Sequence, residues 1–95
     1  MKSGCVYLMA NHRRGKTYLG VTSNLSQRAW QHRNGVVDGH SKAKGCILLV
    51  WYEYLDDLQD ARACEYRMKK WHRAWKIRLI EERNPEWRAL YETLL

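Results

Sequence analysis

The chain has 95 residues, 45% of them hydrophobic, and carries 17 lysines and arginines against 10 acidic residues for a formal net charge of +7. That length holds one core and excludes a second, and the apolar fraction excludes an intrinsically disordered chain. The excess of positive charge favours a polyanionic partner, nucleic acid first.

Cys5, Cys46 and Cys64 form no CxxC pair, and His12, His32, His40 and His72 stand at no zinc-ligand spacing from them. A disulfide framework and a structural zinc site are therefore not expected. The apolar run after Lys2 is too short for a signal peptide, and none approaches the ~18 residues of a membrane span. The expected setting is a reducing cytoplasm, the nucleoid included.

In chain order, Cys5 to Met9 reads as a short apolar strand. Asn11 to Gly15 is turn-like, and Lys16 to Val21 is a second strand rich in β-formers. The gap between them suits a hairpin, which would set Tyr7 and Tyr18 side by side. Asn24 and Gln27 have capping-box spacing, predicting a helix through Leu25, Arg28, Ala29 and His32 that ends near Gly35. A looser segment follows, with Asp38, His40, Lys42 and Lys44. Cys46 to Tyr54 is a continuous apolar run, expected as a buried central strand. Beyond the capping residues Asp56 and Asp57, Leu58, Ala61, Cys64, Met68, Trp71 and Trp75 recur every three or four residues, one buried stripe on a long helix. A break near Trp75 leads to a shorter helix with Ile77, Leu79 and Ile80. Asn84-Pro85 reads as N-cap and first residue of a final helix. One α/β domain is expected, its core over about 4–83 and its C-terminal helix over 84–95.

Taken singly, a strand tyrosine is packing and an exposed helix arginine is solvated. Together they carry more. Arg28 and His32 project from one helix face. A fixed guanidinium answers the charge that builds on a phosphate during phosphodiester cleavage, and a histidine can relay the proton lost by an attacking water. Glu65 falls at the edge of the apolar stripe, where it pairs with Lys69 or points into a cleft. A lone carboxylate completed by water and phosphate oxygens suits Mg²⁺. Arg67, Lys69, Lys70, Arg73, Lys76 and Arg78 form a basic run. They are candidate phosphate contacts, as are Lys42 and Lys44, and the interleaved Trp71 and Trp75 follow the core period and read as packing.

These residues resemble a known pattern. Cys5-Val6-Tyr7 and Tyr18-Leu19-Gly20, eleven residues apart at the tyrosines, are similar to the two signature tripeptides of the GIY-YIG superfamily, and Arg28, ten residues after the second tyrosine, matches its helix arginine. Glu65 matches the metal-binding glutamate, and the resemblance to small stand-alone bacterial members covers nearly the whole chain. It implies a three-stranded antiparallel sheet flanked by helices. The activity it implies is metal-dependent endonucleolytic hydrolysis of DNA phosphodiesters, with structured or damaged DNA and hence DNA repair in view, and RNA as a second candidate substrate. By that carry-over, Tyr7 deprotonates or positions water, Tyr18 orients phosphate or solvent, Arg28 stabilises transition-state charge and Glu65 holds Mg²⁺ or Mn²⁺. His32 matches a histidine found in some branches. The chain departs from the pattern at Val21, where several members have lysine, and at Ile77, where an asparagine is frequent. The alternatives are a catalytically silent nucleic-acid-binding module of the same fold and a protein-interaction domain. A monomer or weak homodimer is expected.

Overall fold

Seven consecutive buried residues, Gly4–Ala10, form strand β1. The structure is a computed structural model and describes residues 2–36 and 45–94. Strands β2 (Thr17–Thr22) and β3 (Leu48–Leu55) pair antiparallel with β1 on either side, giving the order β2-β1-β3. The central strand is thus β1, which corrects the expectation for Cys46–Tyr54. That apolar run yields an edge strand whose outer side is covered by the segment after it. The Leu90 amide donates to the Leu49 carbonyl at 2.8 Å, Asn84 Nδ2 to the Val50 carbonyl at 3.0 Å, and the Arg83 guanidinium to the Tyr52 carbonyl at 3.1 Å. A continuous apolar pattern reports burial, and the covered stretch Leu49–Trp51 of this edge is as buried as the centre.

Alternation along β1 divides the core in two. Val6, Leu8 and Ala10 face one side, while Cys5, Tyr7 and Met9 face the other. Helix α1 (Leu25–Arg33) packs Leu25 and Ala29 onto the tyrosine side. Its start is the expected one, with Asn24 Oδ1 accepting from the Gln27 amide at 3.2 Å. Helix α2 (Leu58–Met68), capped by Asp57, and helix α3 (Arg73–Arg83) pack Ala61, Met68 and Ile80 against the opposite side. All three cysteines are free thiols.

The long helix breaks earlier than its periodicity predicts. The Lys70 amide bonds the Arg67 carbonyl and the Trp71 amide the Met68 carbonyl, closing a turn, and extended His72 starts α3. No glycine or proline marks the site. What pins it is tertiary: the Arg73 guanidinium donates to the carbonyls of Arg14 and Gly15 at 2.6 and 2.7 Å, tying the head of α3 to the β1–β2 turn. The turn resets the helical phase. Trp71 still packs partly against the core, but Trp75 leaves the buried stripe and is 52% exposed, so its reading as packing is corrected.

The expected C-terminal helix is corrected too. Asn84 caps the end of α3, and its buried amide group bonds the Val50 and Arg88 carbonyls and the Arg88 amide. The chain then runs across the sheet edge, and only Tyr91–Leu94 coils, as a short 3₁₀ helix. An asparagine before proline serves a turn as readily as an N-cap.

Candidate active site

Tyr7 lies opposite Gly20 in the β1–β2 register. A Cβ on Gly20 would stand 2.5 Å from the Tyr7 hydroxyl oxygen and Cζ, so the phenol occupies the space that only glycine leaves. Tyr18 lies opposite Met9 on the same face. The two phenols are therefore diagonal neighbours rather than direct partners, with ring centroids 6.5 Å apart. Diagonal pairs across an antiparallel ladder remain within reach of aromatic side chains.

Helix α1 brings the third ring. His32, only 3% exposed, sits with its Nε2 3.0 Å from the Tyr7 hydroxyl. Its ring centroid is 5.6 Å from that of Tyr7 and 5.3 Å from that of Tyr18. Burial, reinforced by the Arg28 charge, lowers the His32 pKa to about 4. Burial, and secondarily Tyr18, pushes the Tyr7 phenol well above its ordinary range, and the opposing pull of Arg28 is the weaker effect. Both groups are neutral at pH 7. A neutral pair at this distance holds one proton between phenol oxygen and imidazole nitrogen, the phenol donating when Nε2 is the unprotonated nitrogen. Arg28 sits one turn before His32, partly buried, with its charge felt by both rings.

Glu65 comes from α2, which packs the other side of the sheet. Its side chain is 18% exposed and pairs with Lys69 Nζ at 3.3 Å. The carboxylate is thus not sealed in the core, but its helix lies across the sheet from the phenols, and of the charges felt by Tyr7 that of Glu65 is the weakest. Among the described residues no group of three or more His, Cys, Asp or Glu gathers to form a cage. A single partly exposed carboxylate fits a hard, water-rich ion such as Mg²⁺ and does not fit a metal that demands a full protein ligand set.

Of the basic residues, Arg67, Lys69 and Lys70 lie exposed on the last turn of α2 and just after it. Lys70 Nζ stands 4.3 Å from the centre of the Tyr66 ring. Arg73 is committed to the β1–β2 turn, and Lys76 is half-buried on α3. Lys42 and Lys44 lie outside the described residues. Two further neighbours of Tyr7 complete its surroundings. Gly20, the last residue of the second tripeptide, clears the ring's space, and Tyr52 faces Tyr7 from β3 and packs on the same side. The strand register gives Gly20 its role, and for Tyr52 it is the signal that the sequence lacked.

Residues 3–78 match the GIY-YIG catalytic domain family. A UPF0213 protein of Clostridium perfringens is 33% identical over 67 residues, covering 70% of this chain and 72% of the relative. One from Bacillus pumilus is 32% identical over 78 residues, covering 82% and 80%. Another, from Aeromonas salmonicida, is 32% identical over 68 residues, covering 72% of this chain and half of its own length. No solved structure matches the chain. A match over most of the sequence, on a three-stranded antiparallel sheet with the tyrosines of both tripeptides on one face, places the protein: it belongs to the GIY-YIG family.

Proposed function

We propose that the protein is a divalent-metal-dependent endonuclease that hydrolyses DNA phosphodiester bonds. Family membership implies a nuclease-type function, and the observation that carries the finer reading is the 3.0 Å contact between the Tyr7 hydroxyl and His32 Nε2, with the Arg28 charge felt by both. A neutral phenol is a poor base alone. Bonded to a neutral imidazole, it can take a proton from the attacking water while passing its own to Nε2, which leaves Tyr7 neutral and His32 cationic. The low pKa of His32 belongs to the protein alone. An arriving phosphate brings negative charge that raises it and partly cancels the effect of Arg28.

Arg28 then answers the extra charge on the non-bridging oxygens, and Tyr18 offers a hydroxyl to orient the phosphate or the water. Glu65 would hold Mg²⁺ or Mn²⁺, whose chemistry when bound is to offset charge on the scissile phosphate. Lys69 would lose its partner to the ion and turn to the phosphate backbone, joining Arg67, Lys70 and Lys76.

The test is nicking of supercoiled DNA in Mg²⁺ or Mn²⁺, with and without chelator, by the parent and by Glu65→Gln. Nicking by the parent that stops with chelator and in Glu65→Gln is expected. Tight DNA binding without cleavage by the parent under every metal condition would instead make it a silent binding module.

A further inference from the structure

Trp75 is one of the exposed aromatics that lie outside both core clusters. It lies at the start of α3 with Trp71, Arg78, Leu79 and Glu82 around a cavity of about 210 Å³. That is smaller than the roughly 300–1,000 Å³ of drug-sized sites, room for one planar heterocycle. The two indoles meet edge to face at 6.1 Å and 74°, and His72 stands edge-on to Trp75 at 5.5 Å, so the rings form a corner with its Trp75 wall open to solvent. Arg78 is a cation that can approach a phosphate or stack on a base. Glu82 would repel a bare phosphate, but its carboxylate can accept from the exocyclic amine of a cytosine or adenine. Trp71 lies six residues after Glu65, in the turn that ends α2.

We propose that Trp71 and Trp75 form a stacking subsite for one unpaired nucleobase, so that the preferred substrate carries a single-stranded or flapped segment beside the bond to be cut. The proposal rests on the nuclease reading above, which supplies the nucleic acid. Charge complementarity favours this occupant: Trp71, Trp75 and Arg78 belong to the basic run from Arg67 to Arg78, which no acidic residue interrupts, and Glu82 completes the corner from one turn beyond it. A paired base keeps its faces inside the stack and cannot enter. Only an unpaired one can.

The experiment measures binding at low salt with chelator present, so that nothing is cut. The probes are a labelled cytosine-rich single strand and a duplex of equal length. The proteins are the parent, Trp75→Ala, Trp75→Phe and Glu65→Gln, each checked for folding by circular dichroism; Trp75 is exposed, so its loss leaves the core intact. The parent should prefer the single strand and show quenched tryptophan fluorescence on binding it. Trp75→Ala should lose about tenfold in single-strand affinity, the lower part of the range for a base stacked on an aromatic ring. It should keep its duplex affinity, with Trp75→Phe in between. Equal affinity of the parent for both probes, or an equal loss for both in Trp75→Ala, would overturn the subsite. Glu65→Gln separates the two readings, because it should abolish nicking while keeping the single-strand preference. Nicking by the parent without that preference leaves the nuclease and removes the subsite. A parent that binds neither probe removes both.

Discussion

Gly20 shows how one missing atom can set the place of a side chain. The Tyr7 ring fills the place of its Cβ, so Gly20→Ala must push the phenol off His32 or spread two hydrogen-bonded strands. Overpacking of this kind costs about 1–3 kcal/mol, and a misplacement of about 1 Å at a reacting group can cost on the order of 10²-fold in rate. We therefore expect Gly20→Ala to be less stable in urea and to cut no faster than Tyr7→Phe. His32 makes a prediction about acid. Its pKa is near 6.5 unfolded and about 4 folded, so between those values the unfolded chain binds a proton that the native one does not. Its contribution to stability is whole above pH 6.5 and is lost as the pH falls through about 4. Melting temperatures of the parent measured from pH 7 to 4 should drop across that window, and His32→Gln should flatten that part of the curve. The residue types of this cluster, Tyr7, Tyr18, Arg28 and His32, were legible in the sequence through spacing and resemblance. The roles of Gly20 and Tyr52 were not, because strand register is a long-range fact that neither residue encodes locally.

At the scale of elements, the sequence was readable where local chemistry governs. Asn24 and Asp57 each accept an amide hydrogen at their helix starts, as short polar side chains at N-caps do. It misled where a distant contact governs. The Arg73 anchor to the β1–β2 turn ends one helical phase and begins another, and no residue between Lys69 and His72 advertises the change. The same holds for Asn84, whose side chain joins α3, β3 and the covering segment through three hydrogen bonds. Removing it leaves the Val50 carbonyl without that partner at a buried site, at a cost of roughly 1–3 kcal/mol, while the part-buried Arg88 groups turn to water. Asn84→Ala should thus lower the urea midpoint by the equivalent of roughly 1–3 kcal/mol. Asp57→Ala, the loss of an exposed cap, should cost about 1 kcal/mol.

For the whole molecule, the site exists only because the sheet is sandwiched. The phenols and α1 occupy one face, and α2 with Glu65 packs the other. The Arg14–Glu81 pair at 2.9 Å, with Trp87 Nε1 donating to the same carboxylate at 2.7 Å, ties the β1–β2 turn to α3 and the covering segment. Those links hold the Glu81 pKa down to about 2. Charge balance and length foretold a single basic domain, whereas the meeting of Tyr7 and Tyr18 with His32 needed the fold. The proposed function joins Glu65 to that cluster, and groups that act as one unit lose activity non-additively. The direct measurement is the single-turnover cleavage rate of Tyr7→Phe, Glu65→Gln and the double variant. A double variant about as slow as the slower single one is expected; losses that multiply would mean that the phenol and the carboxylate act independently, and would overturn the proposed joint role.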